Sequence, residues 1–69
     1  MHYTIIKQQM SHDEIGQYYT FGIRDETGFI ISDISTDKSQ VEKLLSVINS
    51  KNTPRNYLLY EIDRFFSEI

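Results

Sequence analysis

The sequence predicts an α+β domain: a three-stranded antiparallel β-meander followed by two α-helices packed on one face, β-β-β-α-α. Three observations predict it. From His2 to Ile34, short β-branched and aromatic segments are separated by polar, glycine-closed loops. Capping residues at Ser35-Thr36-Asp37 then open a run with helical spacing, and Thr53-Pro54 opens a second. The chain has 69 residues, the size of one domain spanning 1–69.

The first strand is expected near 2–10, where Tyr3, Ile5 and Ile6 precede polar Gln8 and Gln9. Ser11 to Gly16 reads as a loop. A second strand near 17–25 alternates, with Tyr19, Phe21 and Ile23 on one face and Tyr18, Thr20, Gly22 and Arg24 on the other. Asp25-Glu26-Thr27-Gly28 should close a hairpin onto a third strand near 28–34. Loop length decides which face of that strand is inward. A four-residue loop pairs Arg24 with Phe29 and sends Ile30, Ser32 and Ile34 inward, whereas a three-residue loop sends Phe29, Ile31 and Asp33 inward. The four-residue loop is preferred because it keeps the Asp33 charge out of the apolar layer.

The first helix is expected near 37–50. Asp37 and Gln40 have capping-box spacing, and Val41, Leu44, Leu45 and Ile48 form an i, i+3, i+4, i+7 stripe. The second, near 54–67, has proline at its first turn and a stripe of Leu58, Ile62, Phe65 and Ile69, widened by Leu59 and Phe66. The expected core is Phe21, Ile23, Ile34, Val41, Leu44, Leu45, Ile48, Leu58, Ile62 and Phe65.

A chain this short buries roughly 60% of its unfolded surface, so its core is small. Natural domains below about 70–80 residues draw support from disulfides, a metal or a partner chain. There is no cysteine, which fits a reducing compartment and makes self-association an expectation. No apolar run is long enough to span a bilayer, and the N-terminus is too polar for a secretory signal, so a cytoplasmic location is expected. The net charge of −3 without a dense basic cluster disfavours nucleic acid as a partner.

The segments Tyr19-Thr20-Phe21-Gly22-Ile23, Asp33-Ile34-Ser35-Thr36-Asp37 and Val41-Glu42-Lys43-Leu44-Leu45 with Asn49, followed by Thr53-Pro54, resemble a family of short bacterial proteins. That family occurs mostly in Gram-positive anaerobes and is classed only as a domain of unknown function. The resemblance runs from about Tyr18 to Phe66. It leaves out the N-terminal strand and the His12-Asp13-Glu14 loop, and the second helix departs from the pattern with Tyr57 and Tyr60. The resemblance implies a bacterial, cytoplasmic protein and no activity.

The residues show no catalytic constellation: no serine beside a base and an orienting group, no phosphate-binding glycine loop and no paired carboxylates. A non-enzyme without a cofactor is expected. His2 and His12 with Asp13 and Glu14 are the only metal-ligand types that gather, and a solvated acidic loop accounts for them. Asp33 to Asp37 reads as a strand end and a helix cap. The stronger candidates are surfaces. Tyr57, Tyr60 and Arg64 fall on the side of the second helix away from its apolar stripe, with Tyr60 and Arg64 at i, i+4. In the preferred register Tyr18, Phe29 and Ile31 lie on the uncovered sheet face, joined by Tyr3 and Ile5 or by Ile6. The expected function is a small non-catalytic protein-interaction module or regulator whose partner is a second copy, as a homodimer, or another protein. The alternatives are a nucleic-acid-associated regulator using the exposed sheet face and a metal or small-molecule sensor using the His12 loop.

Overall fold

The computed structural model of the chain describes residues 1–68. Strands β1 (Tyr3–His12), β2 (Gly16–Asp25) and β3 (Ile30–Ser35) form one antiparallel sheet in the order β1-β2-β3. Helix α1 (Lys38–Ser50), a 3-10 turn (Arg55–Tyr57) and helix α2 (Leu58–Ser67) follow, so the molecule is the predicted β-β-β-α-α arrangement. Ile69, the last residue of the apolar stripe predicted for the second helix, lies outside the described residues.

The first hairpin is longer and more regular than its sequence indicates. Ten residue pairs run without interruption from Tyr3↔Asp25 to His12↔Gly16, so the strand continues through Ser11 and His12, expected in the loop. Tertiary pairing overrides the weak β-propensity of its glutamines. Gly16 closes the hairpin in the left-handed region (φ 87°). In the second hairpin Asp25 N–H donates to the Phe29 carbonyl and Gly28 N–H to the Asp25 carbonyl, so the loop is the three residues Glu26, Thr27 and Gly28. Gly28 takes the left-handed position that a loop of this length requires (φ 94°).

This corrects the preferred register. Arg24 pairs with Ile30 and Ile23 with Ile31, so Ile31 faces the helices and packs against the core. Ile30 lies on the uncovered face, and Phe29 sits on the helix side of the sheet corner, still exposed. The objection to this register, a charge forced into the apolar layer, is met by a bulge. Phe21 pairs with Ser35, so between Ile23 and Phe21 strand β3 carries two extra residues, and Asp33 turns into the left-handed region (φ 53°) and out of the layer. Ile34 then returns to pack against the core. The bulge needs Gly22 opposite it, because a Cβ there would collide with the Ile31 carbonyl oxygen. The Gln8 side chain lies across this gap: its amide donates to Ser32 Oγ (3.2 Å) and its oxygen accepts from Asp33 N–H (3.1 Å). The Thr20 hydroxyl, fully buried, lies 2.7 Å from Asp33 Oδ1 and 3.1 Å from the Ser35 carbonyl and shares its one proton between them.

Helix α1 crosses all three strands, and α2 packs chiefly on α1 and on the 3-10 turn. Tyr3, Ile23, Val41, Leu44, Ile48 and Leu58 are buried, with Phe21, Ile31, Ile34, Leu45, Ile62 and Phe65 half-buried around them. Tyr19, assigned to the inner face, is exposed because β1 and β2 run on past the helices. Asp37 caps α1 by accepting from Ser39 N–H (3.0 Å). The reciprocal half of the capping box is not made, since Asp37 N–H donates to Ser35 Oγ and Gln40 Oε1 finds no partner among the described residues. Proline does not open the second helix directly. Pro54 is extended (φ −75°, ψ 158°), and one 3-10 turn separates it from α2.

Tyr3, absent from the expected core, ties the sheet to the helices. Its N–H donates to Asn49 Oδ1 (2.8 Å), its carbonyl accepts from Asn49 Nδ2 (2.9 Å) and its hydroxyl donates to the buried Thr53 carbonyl (2.8 Å). Burial and the nearby Asp25 carboxylate raise the pKa of that hydroxyl. Truncation in this small core should be costly in proportion to burial. Leu44→Ala is expected to destabilise by about 2–5 kcal/mol, and the half-buried Ile62→Ala by less; urea denaturation of the two variants measures the difference.

Candidate functional site

Chemistry-bearing side chains are few, and the structure places most of them in structural roles. Asp25, on the helix side of the sheet at the end of β2, has no exposed side-chain surface. One carboxylate oxygen accepts from Thr27 N–H (2.8 Å), Thr27 Oγ1 (2.6 Å) and Phe29 N–H (3.0 Å). The other accepts from Arg55 Nε (3.1 Å) and Nη2 (2.9 Å). Arg55 also reaches the Thr27 hydroxyl, and its guanidinium lies 4.6 Å above the Phe29 ring. Burial by itself would raise the Asp25 pKa; the hydrogen bonds from Thr27, Phe29 and Arg55 outweigh it and lower the pKa to about 2. Every strong acceptor position of this carboxylate is thereby committed to holding the second turn and the start of the 3-10 turn together. The signal in the sequence is Asp25-Glu26-Thr27-Gly28, an aspartate able to bond the N–H two residues on. Arg55, thirty positions away, carries no such signal.

His2 and His12 sit at opposite ends of β1. His2 N–H donates to Glu26 Oε1, and His12 Nδ1 accepts from Glu14 N–H. Among the described residues no group of three metal-ligating side chains converges. Asp33 and Asp37 stand in the bulge and the helix cap described above.

The surface of the 3-10 turn and α2 has a different character. Tyr57, Leu59 and Tyr60 are 59%, 68% and 62% exposed although Leu58 between them is fully buried. The 3-10 turn points Tyr57 outward, and at about 100° per residue Leu59 falls on the flank of inward Leu58 and Tyr60 almost opposite it. Arg64 Nε donates to Glu68 Oε1 (3.2 Å), which raises the pKa of the guanidinium. Arg64 therefore pairs along the helix, and it lines a shallow groove with Tyr60, Asp63 and Ser67. Of the predicted surface residues Tyr60 and Arg64 line one groove, and Tyr57 is exposed three residues before Tyr60. Leu59, counted in the sequence as widening the inward stripe, joins them on the outside.

The predicted sheet-face group is divided. Tyr18 lies half-buried on the uncovered face with Ile6, Met10 and Ile30, while Phe29 and Ile31 lie on the helix side for the register reason above. Among the described residues this face carries one tyrosine, Tyr18, and one arginine, Arg24, and Gln8, Gly22 and Ser32 occupy its middle. Among the described residues no helix is long and apolar enough to cross a membrane.

No family model, curated protein or solved structure matches the chain.

The Asp25 cluster sets an acid dependence of stability. A carboxylate whose folded pKa lies below its unfolded value near 3.8 stabilises the fold above that value, and the contribution is lost as pH falls toward 2. Asp37, lowered by its bond from the Ser39 hydroxyl, acts with the same sign. Asp25→Asn is expected to lower the melting temperature at neutral pH and to flatten its fall between about pH 4 and 2, leaving the smaller slope from Asp37. Thermal melts of both proteins across that range check this.

Proposed function

We propose that the chain is a small protein-interaction module that engages another polypeptide through the exposed face of the 3-10 turn and α2. The observation that carries the reading is the exposure of Tyr57, Leu59 and Tyr60 beside the Arg64 groove. Tyrosine and arginine are the residue types over which binding energy concentrates, because a large ring offers contact area at little conformational cost while its hydroxyl keeps a polar partner. Asp25, the best-built ionic site, is spent on the fold and leaves no free acceptor for a ligand. The nucleic-acid reading draws less support, since stacking needs several exposed rings on one sheet face and the uncovered face offers Tyr18 alone. A bacterial, cytoplasmic setting is part of the same proposal and rests on the resemblance of Tyr19–Ile23, Asp33–Asp37 and Val41–Leu45 to the short Gram-positive proteins.

A photo-crosslinking residue placed at Tyr60 in living cells of the source organism should capture one discrete polypeptide. Tyr57→Ser with Leu59→Ser should abolish capture while the circular dichroism and melting temperature hold. Crosslinks spread over many proteins, or capture unchanged in the double variant, would refute the reading.

A further inference from the structure

The two edges of the sheet are treated differently. The β3 edge is six residues long, interrupted by the bulge at Asp33 and bearing that residue's charge, features that block strand addition. The β1 edge is ten residues long, with no proline, no glycine and no break in register. Both backbone groups of Tyr3 point away from β2, as their bonds to Asn49 show. In an antiparallel ladder every second residue repeats that direction, so the N–H and C=O groups of Ile5, Lys7, Gln9 and Ser11 also point outward. Among the described residues nothing bonds them. At Tyr3 a carboxamide takes the place of a neighbouring strand; for the next four outward residues the place is open.

We propose that this edge pairs antiparallel with β1 of a second copy about a two-fold axis at Gln8, joining the two sheets into one of six strands. Self-pairing is favoured by the composition of the strand. With the axis at Gln8, Lys7 faces Gln9 of the other copy, Ile5 faces Ser11, and Ile6 faces Met10. Ile6 and Met10 are both half-buried on the uncovered face, so the register joins their apolar strips across the axis. An axis at Lys7 would oppose the two lysines, and one at Gln9 would set Ile6 against His12. Lys7 is the only charge from Tyr3 to Ser11 and does not guard the edge. Its ammonium lies 4.2 Å from the centre of the Tyr19 ring, over the neighbouring strand. A two-fold pair of identical strands also closes on itself, with no further edge of this kind left free. This surface is separate from α2, so its test leaves the preceding reading untouched.

Gln9 lies next to the axis, opposite Lys7 of the other copy, and among the described residues its side chain bonds only that of Gln17. Sedimentation from low micromolar to millimolar concentration should show a monomer–dimer equilibrium. Hydrogen exchange should slow at the Ile5, Lys7, Gln9 and Ser11 amides as concentration rises. Gln9→Lys sets two like charges opposite Lys7 across the axis and should weaken the dimer about tenfold, while Gln9→Glu should tighten it by a similar factor. Gln9→Pro, which removes an outward N–H and none from the β1–β2 ladder, should give a folded monomer. Monomeric wild-type protein at millimolar concentration, unprotected outward amides, or a dimer indifferent to both charge variants would each overturn the proposal.

Discussion

The fold depends first on the Asp25 carboxylate. It receives the N–H groups of Thr27 and Phe29 and so holds the loop after β2 at three residues. That length sets which side chains of β3 face the helices, because a shift of one residue would turn every one of them over. Through Arg55 the same carboxylate also fixes where the chain enters the second helix. One buried charge thus governs the sheet register and the placement of α2. The arrangement holds because each of its oxygens is bonded; a buried carboxylate with open positions would cost more than it contributed.

The helices were the legible part of the sequence. Val41, Leu44 and Ile48 are buried as their spacing requires, and capping at Asp37 is where its side chain indicates. Local pattern suffices there, since a helix's partners lie within four residues. The sheet was legible in number and order but not in register. The Asp33 charge avoids the apolar layer through a left-handed bulge opposite Gly22, and a longer loop would meet the same constraint, so the sequence alone does not choose between them. The burial of Tyr3 is not legible locally, because its three hydrogen bonds go to Asn49 and Thr53, residues that read as a polar stop. Of the surface group, Tyr57, Tyr60 and Arg64 could be read from helical spacing. The sheet-face group depended on the register and divided when that changed.

Polarity is distributed unusually for so small a chain. Several polar side chains brace the fold from both sides of the sheet, each bonded to backbone: Asn49 to Tyr3, Gln8 to the bulge, Thr20 to Ser35 and Asp25 to the second turn. Large apolar side chains correspondingly remain outside, among them Ile15, Leu59 and three tyrosines. A single sheet with helices on one side has too little interior for all its hydrophobic residues once polar braces occupy part of it. The exposed apolar surface is therefore a consequence of the architecture.

The pairing of Asn49 with Tyr3 bears on how the chain reaches this state. The Asn49 carboxamide offers one of its N–H groups and its oxygen side by side, as a neighbouring strand residue would, so it completes one rung of a ladder, but only once α1 has formed and docked. The rung joins residues 46 positions apart, and the Tyr3 hydroxyl bond to Thr53 joins residues 50 apart. Closing so long a loop costs chain entropy before any bond is gained. Securing the start of β1 is therefore coupled to the docking of α1, whereas the turns closed by Gly16 and Gly28 need only residues close in sequence.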